Sequence, residues 1–377
     1  MSSRRRFIKQ SSCAAAALIM AEYAIANKVS FNKEFTEQLT IQNMKEASYY
    51  KKTDTGAECE LCPNFCILKE GKLSSCRTRI VKSGKLVTLA YNNPCAVHID
   101  PVEKKPLYHF LPGTQTYSIA TAGCNLHCLN CQNWSISQAS PDETDNEDIT
   151  AVNGVAAAIK NKCSSISYTY TEPIVFIEYM SDMAALAKKS GIRNIMVTAG
   201  YINETPLRQL CKVIDAANVD LKSFDNEVYK KLNAGSLEPI LKTLKVMKDE
   251  GIWLEITNLI IPTWSDKDDM IKRMCDWLLK NGFEDTPLHF SRFFPQYKLT
   301  QIAPTPVQTM EKAYDIAVKA GINYVYIGNV AGKNGTNTVC PECKKTVIAR
   351  TGFKVTENNI VGGKCKFCST KIAGVFE

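Results

Sequence analysis

The sequence predicts an α/β chain: a partial (β/α)6 TIM-type barrel flanked by a small N-terminal four-cysteine module and a C-terminal zinc-ribbon-like module. Three observations carry that reading. Short apolar strand candidates alternate with helical patterns through the middle of the chain, glycines interrupt the alternation, and cysteines gather in three places.

The strand candidates are residues 117–123, 165–171, 194–200, 218–222, 253–261 and 288–294. Helical patterns occupy 151–161, 174–190, 205–216, 237–250, 267–281 and 307–320, with breaks at Gly191, Gly251, Gly282 and Gly321. Alternation of this kind gives a parallel sheet. No glycine-rich phosphate loop follows the first strand, which disfavours a dinucleotide fold and favours a barrel whose site lies at the C-terminal ends of its strands. The chain divides into a signal-type segment (1–26), a linker (27–55), a Cys-rich module (56–115), the barrel (116–333) and the zinc-ribbon-like module (334–377).

With 377 residues there is room for a catalytic domain of roughly 200–250 residues plus smaller modules. The chain is 45% hydrophobic and 22% charged, as in a soluble globular protein, and no apolar run reaches the ~20 residues of a membrane span. The net charge of +8 is spread over predicted helices without a dense basic tract, so nucleic acid is not favoured as a partner. Phosphate or carboxylate substrates stay open. At the N-terminus, "SRRRFIK" followed by "AAAALIMA" and Ala24-Ile25-Ala26 reads as a twin-arginine export signal, although Glu22 lies near its end. The chain is exported by that route if the signal is functional; otherwise the segment is a basic tail on a cytoplasmic protein.

Eleven of the sixteen cysteines fall into the three clusters. Cys340, Cys343, Cys365 and Cys368 form two Cys-x2-Cys knuckles separated by strand-like sequence, the pattern of a four-sulfur zinc site. A module of about 40 residues needs such a metal to fold. Cys59, Cys62, Cys66 and Cys76 also supply four thiolates, and zinc and an iron–sulfur cluster fit that spacing equally. Cys124, Cys128 and Cys131, in "TAGCNLHCLNCQNW", are only three, directly after the first barrel strand. They leave one metal position for a small molecule, unless Cys163 or Cys95 completes a closed structural site. Cys95 lies near His98 without an evident partner, and Cys13, Cys163, Cys211 and Cys275 read as small buried hydrophobes or part of the signal.

At these residues the chain resembles the radical S-adenosylmethionine enzymes. "CNLHCLNCQNWSISQ" is similar to the pyruvate-formate-lyase-activating-enzyme branch, and more narrowly to the AmmeMemoRadiSam-system proteins. "CELCPNFC", "DPVEKKPLYHFLPG", "YTYTEP", "DLKSF" and "YVYIGN" extend the resemblance from about Cys59 to the C-terminus. It implies that Cys124, Cys128 and Cys131 hold a 4Fe-4S cluster whose open iron binds S-adenosylmethionine. An external reductant would then drive cleavage to methionine and a 5′-deoxyadenosyl radical that abstracts hydrogen.

Residue roles follow from the same resemblance. Glu172, in Thr171–Pro173, would accept from the methionine ammonium, while also suiting a helix N-terminus. Asp220 and Lys222 would lie near the cofactor carboxylate, or form a salt bridge in the barrel mouth. Asn258 and Arg292 are further pocket candidates. Asn130 stands where an aromatic residue usually packs near the adenine, with His127 or Trp134 as substitutes. The sixth-strand loop has Phe294 instead of a histidine, and His289 takes on no role by resemblance. Lys104, Lys105 and His109 read as part of a solvated charged loop. The activity implied is radical chemistry on a partner protein; a small-molecule substrate, or a non-catalytic iron–sulfur or zinc protein, are the alternatives.

Overall fold

Alternating β-branched runs and amphipathic helices build one large sheet with its helices on one side. The computed structural model describes residues 44–330 and 335–377, so the signal-type segment and residues 27–43 of the predicted linker lie outside the described residues. The sheet contains β1 (Ala96–Pro101), β2 (Gln115–Ala120), β3 (Ser165–Tyr168), β4 (Arg193–Thr198), β5 (Ala216–Asp220), β6 (Trp253–Ile260), β7 (Leu288–Arg292) and β8 (Val325–Gly328). From β2 to β8 the strands are parallel and neighbours in chain order; β1 pairs antiparallel with β2. A doubly wound sheet reverses its strand order at a switch point, whereas this one never does. That is the winding of a barrel left open between β1 and β8.

The crossover helices are α1 (Ala151–Lys160), α2 (Ile177–Lys189), α3 (Glu204–Cys211), α4 (Glu238–Asp249), α5 (Asp268–Lys280) and α6 (Val307–Ala320). Helix α5 shows the sequence logic: acids at Asp268 and Asp269 in the first turn, and Met270, Ile271, Met274, Cys275 and Leu278 on one buried stripe. Two strands escaped the sequence reading. β8 is only "VYIG", and β1 carries His98, Asp100 and Pro101, polar and breaker residues that an edge strand tolerates.

The segment between β1 and β2 is not a solvated loop. Leu107, Phe110 and Leu111 pack with Ile195 and Ala216 at the N-terminal ends of β4 and β5, so the chain plugs that end of the barrel. Lys105 is buried and pairs with Asp100 at 2.7 Å, and Asp100 also accepts from Ser118 and Tyr170 at 2.9 and 2.6 Å. Lys104 alone keeps a half-exposed side chain, bridging the same Asp100. His109 is fully buried: Nδ1–H donates to the Ala373 carbonyl at 2.6 Å, and Nε2 accepts from the Tyr326 hydroxyl at 2.5 Å. The predicted charged loop is corrected accordingly.

Both terminal cysteine-bearing segments pack against this frame. Tyr50–Thr53, Gly56–Cys59 and Ile67–Lys69 form one antiparallel sheet, and Lys45–Glu46, Lys85–Thr88 and Arg79–Lys82 another. Within the predicted linker, Lys45–Glu46 and Tyr50–Thr53 are strands, and Ala96–Pro101 pairs with Gln115–Ala120 in the large sheet. Arg79, with no exposed surface, forks onto Glu178 of α2 at 2.7 and 3.0 Å. At the other end, Thr338–Val339, Thr346–Thr351 and Lys354–Asn358 form a sheet next to the Ile360–Val361 and Lys364–Cys365 pair. From it Arg350 reaches inward to the Tyr108 carbonyl at 2.6 Å and stands 4.3 Å over the Tyr108 ring.

Burial pushes His109 down to about 4, because an imidazolium there would be stripped of water. The unfolded chain titrates near 6.5, so the neutral ring's stability is complete above that pH and is lost as pH falls towards 4. Thermal or denaturant unfolding should show wild type losing about 2 kcal/mol between pH 8 and pH 5 relative to His109→Gln. Parallel pH profiles for the two proteins would contradict this.

Candidate active site

Strand β2 ends at Ala120, and the chain turns through Gly123 straight into the cysteine loop. Gly123 has φ +94° and a Cβ there would come 2.5 Å from the Cys76 carbonyl oxygen, so glycine is required on both counts. The loop has no regular structure of its own. Its backbone is pinned by the π-helical turn Tyr229–Asn233: His127 N–H donates to the Asn233 carbonyl and Leu129 N–H to the Leu232 carbonyl, both at 2.9 Å.

The sulfurs receive their own partners. Asn233 Nδ2 donates to Cys128 Sγ at 3.1 Å, the Ser137 hydroxyl lies 3.0 Å from Cys131 Sγ, and Leu126 N–H is 3.4 Å from Cys124 Sγ. Burial, with the neighbouring Glu172 and Cys128, holds the Cys124 thiol well above the usual range. Cys95 N–H pairs with the Ala120 carbonyl, and Cys163 is a buried residue contacting the Asn161 carbonyl. Cys211 and Cys275 are buried in the core as expected; Cys13 lies outside the described residues.

Beside the loop lies a cavity of about 200 Å³ lined by Asn130, Gln132, Asp220, Lys222, Thr257 and Ser291, with Leu232, Leu259 and Ile261 as its apolar wall. Asn130 Oδ1 and Asn233 Oδ1 are buried there with no hydrogen-bond partner. Asp220 and Lys222 face the cavity as a pair at 2.8 Å. Burial opposes the Lys222 charge, but Asp220 and the Cys128 sulfur hold it well above the ordinary lysine range. The salt bridge and the cavity lining thus hold together.

Glu172 ends the turn after β3 and is almost wholly buried. It accepts from Thr198 Oγ1 at 2.6 Å, Ala199 N–H at 2.8 Å and Ile174 N–H at 3.3 Å, and burial still pushes its carboxyl up to about 7. Three of roughly four acceptor positions are used, leaving one for an incoming donor.

Other candidates sit differently. Asn258 faces away from the cavity; its Nδ2 holds the Leu221 carbonyl at 2.7 Å, and the cavity is lined instead by Thr257 and Leu259 on either side of it. Arg292 donates to the Thr305 carbonyl at 2.7 Å and stacks on Phe294 at 5.0 Å, while Ser291 lines the cavity. His127 is taken up by Ser75 and Gln138, and Trp134 stacks on Tyr297 at 5.4 Å. His289 is bonded to Glu255 at 2.6 Å inside the barrel. Sequence reasoning missed Thr198, Asn233, Thr257, Leu259 and Ile261. The period-two alternation along β6 would have found the last three.

At the C-terminus, Cys340, Cys343, Cys365 and Cys368 bring their sulfurs within 4.8 Å of one another, a group able to hold a metal ion. Cys340 N–H bonds the Lys345 carbonyl and Cys365 N–H the Thr370 carbonyl, closing both knuckles. The other four-cysteine set, Cys59, Cys62, Cys66 and Cys76, lies against the far side of the active-site loop, where Asn64 Nδ2 donates to the Asn125 carbonyl at 2.9 Å.

The sequence profile of the radical SAM superfamily matches residues 118–278, from within β2 into α5. An uncharacterized protein of Methanocaldococcus jannaschii is 45% identical over 332 residues, covering 87% of this chain and 99% of its own. Pyruvate formate-lyase 1-activating enzyme of Escherichia coli K12 is 24% identical over 214 residues, covering 53% of this chain and 87% of its own. A radical SAM methyltransferase from Sphaerobacter thermophilus superimposes with a TM-score of 0.45 at 15% identity, over 58% of this chain and 67% of its own. With its cysteine loop at the mouth of an open parallel barrel, the chain belongs to the radical SAM superfamily, is a radical SAM enzyme, and is homologous to pyruvate formate-lyase activating enzymes.

Proposed function

We propose that this enzyme binds S-adenosylmethionine at a 4Fe-4S cluster on Cys124, Cys128 and Cys131 and abstracts hydrogen from a partner protein, as an activating enzyme does. When bound, the cluster and the sulfonium cofactor supply a 5′-deoxyadenosyl radical. The observation that carries the reading is the cavity itself: three buried or half-buried thiols, no fourth cysteine in the loop, and unpartnered acceptors on Asn130 and Asn233 beside them. Three sulfurs suit a cluster with one open position, and the cavity next to them suits its occupant.

The chain's own residues supply the rest. Glu172 offers its remaining acceptor position to the methionine ammonium, and Lys222 offers a fixed cation to the carboxylate, with Asp220 holding the lysine in place. Leu232, Leu259 and Ile261 exclude water and provide apolar surface for the adenine. Thr198 and Ala199 hold the Glu172 carboxylate in one orientation. A protein target is favoured over a small molecule by the homology to activating enzymes. We also assign zinc to Cys340, Cys343, Cys365 and Cys368, whose paired sulfurs lie 3.6 and 3.7 Å apart, close to the edge of a zinc–thiolate tetrahedron.

Reduced, reconstituted protein should convert S-adenosylmethionine to methionine and 5′-deoxyadenosine; no 5′-deoxyadenosine under reducing, anaerobic conditions would overturn the reading. Glu172→Gln keeps the side chain's volume, whereas alanine would orphan buried donors, so the glutamine variant should retain its iron. Loss of a charge-assisted hydrogen bond worth about 1.5–3 kcal/mol should weaken cofactor binding roughly tenfold to a hundredfold in equilibrium titrations. Unchanged affinity would remove Glu172 from the clamp.

Asn233→Ala removes the N–H donor to Cys128 Sγ. Hydrogen bonds to cluster sulfurs stabilise the more negative reduced state. The cluster's midpoint in a redox titration followed by electron paramagnetic resonance should therefore move to more negative potential; a shift the other way would contradict the contact's role.

Export by the twin-arginine route is proposed from "SRRRFIK". Arg4→Lys with Arg5→Lys should retain the precursor in the cytoplasm, and wild type found uncleaved there would rule the signal out.

A further inference from the structure

The Cys59, Cys62, Cys66 and Cys76 set has a different geometry from the C-terminal one. A single zinc ion with thiolates at about 2.3 Å draws its sulfurs to about 3.8 Å of one another. The C-terminal sulfurs meet that condition. Among the described residues no other three histidine, cysteine or carboxylate ligand atoms come within 4.8 Å of one another. The Cys59–Cys76 sulfurs are therefore spread more widely, as are those of Cys124, Cys128 and Cys131. Wide spacing suits a polynuclear centre, whose ligands bind different metal atoms.

A second observation concerns what surrounds them. Arg79 is fully buried and within electrostatic reach of Cys59 and Cys76, and its Nε–H has no partner. Its other guanidinium nitrogens are used by Glu178 and the Ser48 carbonyl. An unmet buried donor within electrostatic reach of the cysteines suits a centre that presents further acceptors, as the sulfides of a cluster do. Cys76 Sγ also has the Ser74 and Thr78 hydroxyls at 3.0 and 3.2 Å.

The third observation is position. The two ligand loops touch. The Cys76 carbonyl abuts Gly123, the residue before Cys124. Asn64 closes the same contact from the other side. Cys124 is buried, whereas Cys66 is half-buried between exposed Phe65 and Ile67, which are 48% and 72% accessible. The Cys59–Cys76 centre thus stands between solvent and the active-site loop.

We propose that Cys59, Cys62, Cys66 and Cys76 hold a second iron–sulfur cluster, and that it passes the reducing electron to the cluster on Cys124, Cys128 and Cys131 across the Gly123–Asn125 contact. The first half stands on the second site's own geometry; the relay rests on the function proposed above. A one-electron reductant loads the second cluster, which is oxidised by one electron as the active-site cluster gains one. No bond forms and no proton moves.

Metal analysis of anaerobically prepared full-length protein separates the possibilities without a variant. About eight iron and about one zinc per chain is the expected result; about four iron and two zinc would overturn the proposal. Replacing Cys124, Cys128 and Cys131 together by Ala should leave about half the iron, reducible by dithionite to a paramagnetic cluster; an iron-free variant overturns it. The relay is read by stopped-flow reduction with dithionite. Cys66→Ser should slow reduction of the active-site cluster at least tenfold while that cluster's iron is retained; an unchanged rate overturns the relay. None of these readings requires S-adenosylmethionine, so failure of the cleavage assay and failure of this proposal are distinguishable.

Discussion

Everything at the active site depends on holding an eight-residue loop without secondary structure so that three sulfurs face one place. Such a loop has no hydrogen-bond ladder, and its buried N–H groups need partners from elsewhere. The π-helical turn Tyr229–Asn233 provides two carbonyls and, through the Asn233 side chain, a donor to Cys128. That turn ends at Ala234 in a left-handed conformation, φ 55°, a strained position for a residue with a Cβ. On the opposite side the N-terminal module presses on Gly123 and Asn125. The loop is therefore a layer between two units that lie far apart in sequence.

The open barrel creates a second constraint. Its N-terminal end must be closed, and the segment after β1 does this with apolar residues below and charged groups above. Lys105, Asp100, Glu255 and His289 are buried and Tyr170 is half-buried, and each has a partner within the interior. Buried charges left unpaired would cost several kcal/mol each, so the polar interior is stable only as a network. Arg350 joins the C-terminal module to the same network through Tyr108, with Glu103 3.5 Å from its Nε.

Much of this was legible in the sequence. Helical stripes and apolar runs set all six crossover helices and six of the parallel strands, because periodicity reports burial directly. The cysteine loop was legible from spacing and from its place after the first strand. Asp220 and Lys222 were legible because two residues at a strand end share a face. What escaped was tertiary. Nothing local shows that Lys105 and His109 turn inward, since their partners come from Asp100, Ala373 and Tyr326. Asn258 and Arg292 were pocket candidates from their strands, whereas alternation along β6 and the Thr305 carbonyl decide where they go. Asn233 was invisible because its role depends on a turn about 100 residues beyond the cysteines it serves.

The central claim is that the cavity beside Cys124, Cys128 and Cys131 brings S-adenosylmethionine onto the cluster's open position. The most direct measurement is the electron paramagnetic resonance spectrum of the dithionite-reduced protein before and after adding S-adenosylmethionine, without any substrate. The account predicts that the signal of the cluster on those three cysteines changes shape on addition, and that the change is absent when they are replaced by Ala. An identical spectrum with saturating cofactor would contradict it.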